Sequence, residues 1–341
     1  MSIRSQRHSS RGFTLVELMV AMLLGLIVIG GATSIMLANK QSYRANEALS
    51  QVQETARTAF ELLARDLRQA GATGCDNSGR VGSVLRTSGP EWWLDWNAII
   101  GYDGNTAMPA VDIGTEPTER VDGTDAFEIR GTEGSAYSVE THDPSAASIK
   151  LNAATPAIEL NDVLLVCDFD HATIFQVSQY TAANATLLHA TGASQQPGNC
   201  TQGLGFPPAA CDANPGNTYT FGPNSQVARL AAVSWYIGNN NRPDEGGRSL
   251  YRRRLGAGGI VVVEEVVAGV QDLQLQYRVE GSNAFVDASA MSASDWQNVN
   301  AVVVRLTMDS TERNIATAQG ANSGRLQRTF THLVTLRNRV P

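Results

Sequence analysis

Residues 13–38 read FTLVELMVAMLLGLIVIGGATSIMLA, a 26-residue apolar run with a single charge, Glu17. A helix that is apolar on every side must be surrounded by protein or by lipid, so this run constrains the whole chain to a membrane-anchored architecture. At about 1.5 Å per residue it reaches about 39 Å, more than the hydrocarbon core of a bilayer at about 30 Å. Arg4, Arg7 and Arg11 precede it, and Glu47, Glu54 and Glu61 follow at a distance. The positive-inside rule therefore keeps the N-terminus cytoplasmic and sends the C-terminal bulk across. A secretory signal would have a shorter apolar region ending in small residues before its cut site, which this run lacks.

The formal charge is −7, and a cut after Gly12 removes three arginines, leaving −7 − 3 = −10 on the side chains. So acidic a product is a poor partner for nucleic acid. Cys75, Cys167, Cys200 and Cys211 all lie beyond the apolar run. Outside the cytoplasm an even cysteine number reads as disulfides. Three pairings are possible and the sequence does not choose among them. Cys200 and Cys211, which bracket Gly205, Pro207 and Pro208, are the easiest to join, and Cys75 with Cys167 then follows.

Beyond the apolar run, Leu49, Val52, Ala56, Ala59, Leu63 and Leu67 recur at three- and four-residue steps among charged residues, the pattern of an amphipathic helix. The simplest reading is one helix over residues 14–70, stopped by Gly71 and Gly74. Continuity is most at risk at Gly30, Gly31, Thr33 and Ser34, because glycine costs a helix about 1 kcal/mol relative to alanine.

From Cys75 onward short β-branched or alternating runs predict strands at residues 126–130, 163–167, 173–178, 228–237, 249–254, 260–267, 273–279, 301–308 and 329–336. Most of the connections are too short for crossover helices, which favours antiparallel sheet. Residues 101–123 and 192–217 read as long surface insertions held by disulfides. The fold class expected is α+β: a long N-terminal α-helix, transmembrane in its first half and amphipathic in its second, packed on a large antiparallel β-rich head.

Catalytic signatures are missing. There is no GxSxG elbow, phosphate loop or dinucleotide fingerprint, and the histidines at 8, 142, 171, 189 and 332 lack metal-ligand spacing. Asp168, Asp170 and His171 suggest either a metal site or, more simply, an Asp-stabilised turn. The stretch containing Asp103, Asn105, Asp112, Asp122 and Asp125 leaves calcium open without the ordered spacing of a calcium loop. Trp92, Trp93 and Trp96, beside Asp95, form either a partner-binding patch or core packing.

The run Arg11-Gly12-Phe13-Thr14-Leu15-Val16-Glu17 resembles the class III leader of type IV prepilins and pseudopilins at all seven positions. The resemblance implies cleavage between Gly12 and Phe13 by a membrane-embedded aspartyl peptidase, and methylation of the new amine on Phe13. Glycine lets a protease approach the backbone closely, and a cut there removes the basic leader while keeping the anchor. An intramembrane carboxylate costs about 2.5 to 3.5 kcal/mol at mid-span, so Glu17 needs a role. The resemblance implies that it pairs with the N-terminal amine of a neighbouring subunit and sets register; the alternative is that it complements its own helix dipole and amine.

Ser234 to Asn240 (SWYIGNN), Ser249 to Leu255 (SLYRRRL), VEEVVAGVQDLQLQYRVEG from Val263, NAVVVRLTMDST from Asn300 and RTFTHLVTLRNRVP from Arg328 resemble the PilW family of minor pilins, a likeness expected over nearly the whole chain. Arg337-Asn338-Arg339 is typical of these proteins, though it also reads as a basic, solvated end to an edge strand. Major pilins often carry a proline where this chain has Ser34, and no proline occurs here before Pro90. The division implied is leader 1–12, transmembrane half-helix 13–38, periplasmic half-helix 39–74 and head 75–341. The function implied is to prime type IV pilus assembly from a place at or near the tip, without catalysis or cofactor. The implied partners are other minor pilins, the major pilin, the prepilin peptidase, the assembly platform with its motor ATPase, and a tip adhesin. The rival readings are a J-type minor pseudopilin of type II secretion and a membrane-anchored extracytoplasmic enzyme or binding protein.

Overall fold

The computed structural model describes residues 12–75, 80–86, 91–94, 96–192, 196–211, 213, 215–315 and 324–339. The leader arginines and Asp95 lie outside these residues. One α-helix, α1 (Leu15–Gln69), runs for 55 residues. It passes Gly30 and Gly31 without a break, and Thr33 and Ser34 return their hydroxyls to the carbonyls of Ile29 and Gly30 at 2.7 and 2.8 Å. Those two polar side chains are thereby satisfied within the helix, as lipid surroundings require. The helix stops where the glycines predict: Gly71 takes φ +75°, and its amide donates to the Arg130 carbonyl at 2.7 Å.

The chain forms two compact units, residues 1–51 with 312–326 and residues 52–311 with 327–341. In the first, Arg44 and Glu312 form an exposed ion pair at 3.0 Å. The second holds the sheets and the outer part of α1. Its larger sheet contains β1 (Val81–Ser83), β2 (Ile99–Tyr102), β3 (Ala126–Asp143), β4 (Ser148–Leu151), β5 (Val163–Cys167), β6 (Ala172–Gln176), β7 (Gln179–Thr181), β8 (Thr186–Leu188), β9 (Gln226–Asn239), β10 (Arg248–Leu255) and β11 (Val261–Ala268). The order is β1-β6-β5-β9-β3-β4-β8-β7, with β10 also on β9, β11 on β10 and β2 on β3. A smaller sheet has the order β12 (Val270–Val279), β13 (Val299–Asp309), β14 (Gln327–Thr335). The pairings are antiparallel except β1 with β6, which run parallel.

The amphipathic face of α1 supplies Val52, Ala56, Ala59, Phe60, Leu63, Ala64 and Leu67 to one core with Phe127 and Ile129 of β3, Trp235 of β9, and the inward residues of β12 and β13. Alanines on the helix let it lie close to the sheet. Gly131 is part of the same fit, because a Cβ there would stand 2.7 Å from the Gln69 carbonyl oxygen. A second core gathers Trp92, Trp93, Leu165 and Ile174, and a third gathers Ile149, Phe175, Leu187 and Phe221.

Candidate assembly site

The N-terminal residues are presented outward. Phe13 is 82% exposed, and a Cβ built on Gly12 would meet nothing within 4 Å. Thr14 caps α1: its hydroxyl accepts the Glu17 amide at 3.3 Å, and its carbonyl accepts the Leu18 amide at 3.1 Å. Thr14-Leu15-Val16-Glu17 has the form of a capping box, in which the acid would reach back to the cap amide. That reciprocal bond is not made, and among the described residues the Glu17 carboxylate has no partner. The cap satisfies one orphan amide while leaving the carboxylate available to a cation from elsewhere. The capping role of Thr14 is legible in the sequence as T-x-x-E.

From Leu15 to Leu37 the large apolar residues are exposed on every side of α1, and this helix is long and apolar enough to cross a membrane. The outer part of the helix is gripped differently. Asp66, 5% exposed, accepts the Trp235 indole N–H at 3.0 Å and the Arg252 guanidinium at 2.8 and 3.2 Å. Burial pushes the Asp66 carboxyl up, against the pull of Arg252. At the helix end the Asn338 side-chain amide donates to the carbonyls of Arg68 and Ala70, both at 3.4 Å. These are carbonyls that a helix C-terminus leaves unsatisfied. Arg337-Asn338-Arg339 form a 3-10 turn directly after the edge strand β14, with Arg337 and Asn338 exposed as a solvated strand end would be, and the asparagine additionally caps α1.

Two family profiles match the chain. The prokaryotic N-terminal methylation motif matches residues 7–33, and the type IV pilus-assembly protein W matches residues 234–338. The two matches together support a resemblance to PilW-like type IV minor pilins. No curated protein and no solved structure matches it. The PilW match is narrower than the likeness over nearly the whole chain that the sequence suggested. Its limits have a structural meaning, because they enclose Trp235, Arg252 and Asn338, which hold α1, together with the whole three-stranded sheet. The PilW match implies interaction with other pilus components, and the methylation motif implies processing by prepilin peptidase.

In the part of the head before residue 234, outside the PilW match, Cys75 is bonded to Cys167 and Cys200 to Cys211. The second disulfide closes the insertion at 192–217, but residues 101–123 contain none and are held by Arg120. That side chain is fully buried, and its guanidinium donates to the carbonyls of Thr106 at 2.8 Å, Asp103 at 2.9 Å, Tyr102 at 3.3 Å and Thr124 at 3.1 Å. An internal cation thus gathers the backbone of the stretch whose acids left calcium open. The acids there serve the backbone instead: Asp103 accepts the amides of Ala288 and Ser289 at 2.9 and 2.8 Å, and Asp125 accepts that of Leu275 at 2.8 Å.

The Asp168 group is a turn. Asp168 Oδ1 accepts the Asp170 amide at 2.9 Å, and its Oδ2 accepts the Tyr219 hydroxyl at 2.7 Å. His171 places Nδ1 2.8 Å from Asp170 and Nε2 2.8 Å from the Leu204 carbonyl, so neither ring nitrogen is available to a metal. Among the described residues no group of three His, Cys, Asp or Glu side chains could hold an ion. Trp92 and Trp93 are buried in the second core and Trp96 packs against it, so they are packing residues and not an exposed patch.

Proposed function

We propose that this chain is a membrane-anchored precursor that is trimmed and then drawn into a pilus by its helix, where it primes assembly and sits at or near the tip. Residues 1–12 act as the leader, cleavage falls between Gly12 and Phe13, and the Phe13 amine is methylated. Residues 13–38 cross the inner membrane with the N-terminus cytoplasmic, residues 39–74 continue the helix into the periplasm, and residues 75–341 form the head. Glu17 pairs with the terminal amine of the next subunit.

The observation that carries this reading is the Glu17 carboxylate: it stands in an apolar, outward-facing helix, its amide capped by Thr14 and its charge unanswered among the described residues. Lipid is a poor final environment for such a group, whereas a bundle of sister helices that each supply an amine is a good one. The two disulfides suit an oxidising compartment beyond the membrane. A head of this size is easier to place at a filament end than at every repeat, which favours a minor subunit near the tip. Its role is assembly, not catalysis, together with other minor pilins, the major pilin, the assembly platform and a tip adhesin.

The test is complementation of a strain lacking this chain and any redundant subunit. The wild-type chain should restore surface pili, and Glu17→Ala should reduce them at least about tenfold while still being cleaved, the effect of losing a charge pair of about 1.4 kcal/mol or more in low dielectric. Full piliation with Glu17→Ala would refute the pairing.

A further inference from the structure

A cleft of about 400 Å³ opens on the head between β3, β5 and β9. Its floor is apolar and buried, made by Ile158, Leu164, Val227 and Ala228. Its mouth lies where β3 slips register against β9 between Glu133 and Tyr137, so Gly134 and Ser135 rise out of the sheet as one wall.

The walls are pinned. Asp162, fully buried, accepts Arg229 at 2.7 Å, the Glu159 amide at 2.8 Å and the Gly258 amide at 2.7 Å. One carboxylate therefore ties β9, the loop before β5 and the turn after β10 into a preformed concavity, the usual shape of a binding site. It also consumes the charge of Arg229. On the rim, Glu133 and Glu159 make no ion pair among the described residues, so the mouth carries two carboxylates. Apolar surface continues beyond it: Leu160 is 54% exposed and Ile260 66%, on two segments brought together where a Cβ on Gly259 would stand 3.2 Å from the Asn161 carbonyl. Exposed apolar side chains beside a preformed apolar cleft mark an interaction surface better than scattered ones do.

We propose that this cleft docks a partner protein through an extended segment that inserts a large apolar side chain flanked by lysine or arginine. The floor takes the apolar group, Leu160 and Ile260 extend the contact, and Glu133 and Glu159 select the basic flanks. Most of the cleft lies before residue 234, outside the PilW match, so it belongs to the part particular to this head. The proposal does not depend on how α1 assembles.

The test uses the processed full chain in phosphatidylcholine nanodiscs, with empty nanodiscs as the blank, and calorimetric titration of three capped peptides, Lys-Leu-Leu-Lys, Lys-Ser-Ser-Lys and Glu-Leu-Leu-Glu. The first should bind saturably and weaken as salt is raised, and the other two should bind at least about tenfold more weakly. Ala257→Trp, which fills the cleft, should abolish binding, and Glu133→Gln with Glu159→Gln should lower it about three- to tenfold while removing the salt dependence. Melting curves would establish that the variants fold; if Ala257→Trp does not, the double glutamine variant, isosteric and at the rim, carries the test. No binding of Lys-Leu-Leu-Lys, equal binding of the acidic peptide, or binding indifferent to these substitutions would overturn the proposal.

Discussion

His142 and His189 face each other at 3.3 Å between Nε2 atoms, both buried. His142 Nδ1 accepts the Phe221 amide at 3.1 Å, so the His142 proton sits on Nε2 and points at His189. This tautomer leaves no shared lone pair for a metal. Burial pushes His142 down to about 4 and His189 down to about 3. A histidine whose pKa falls on folding leaves the unfolded chain binding more protons, so stability is lost as pH drops from the unfolded value of about 6.5 towards the folded one. Urea midpoints at pH 7 and pH 4.5 should reveal a loss of about 2 kcal/mol per histidine, and His142→Gln, which keeps an acceptor for Phe221, should remove roughly half of it. Asp125 acts in the opposite sense: burial raises it to about 6, so its contribution is present at low pH and is lost as pH rises through about 6. The comparison with His142→Gln isolates the imidazole effect from that background. Arg120 poses a simpler test. Arg120→Met would remove the donor from four carbonyls, that of Thr124 buried and the others partly so, and equilibrium unfolding should register a loss of about 3 kcal/mol. A calcium chelator should leave the wild-type melting midpoint unchanged.

At the scale of elements, α1 is tied to the head through a buried acid. Asp66→Leu removes the acceptor for the Trp235 indole and the partner of Arg252, and should cost about 3 kcal/mol in urea unfolding, with Asp66→Asn costing less. An unchanged midpoint would mean that apolar packing alone holds the helix. The role of Asp66 is not legible in the sequence, because periodicity tells which side of a helix is buried and says nothing of which polar group on that side finds a partner. The nine strands expected from alternation all exist, since Val-, Ile- and Tyr-rich runs bounded by turn residues carry their own signal. The strands missed, β1, β2, β4, β7 and β8, have three or four residues each, too few for a period of two to register. β3 continues to Asp143 through Gly131 and Gly134, which read as a stop and in fact make a close helix contact and a bulge. The role of Arg120 was illegible for another reason: its carbonyl partners are backbone atoms of residues as far away as Tyr102, and backbone acceptors leave no mark on sequence.

Over the whole molecule, the PilW-matched segment grips the helix, while the preceding stretch carries the disulfides, the histidine pair and the cleft. The two bridges differ in reach. Cys75–Cys167 spans 92 residues and Cys200–Cys211 spans 11, so the chain-entropy model assigns them about 4–5 and about 3 kcal/mol. Replacing the first pair by alanine should lower the thermal midpoint more than replacing the second, and the reverse order would show that native-state contacts outweigh loop closure. Both act on the head and leave the helix motif untouched, so neither substitution should alter leader removal. The central claim concerns the helix itself: that it quits lipid for a bundle of like helices. Mass spectrometry of filaments sheared from cells tests this most directly. The account predicts a chain in that fraction beginning at methylated Phe13 for the wild type, and its retention in the membrane fraction for Glu17→Ala. A wild-type chain found cleaved but only in the membrane fraction would contradict it.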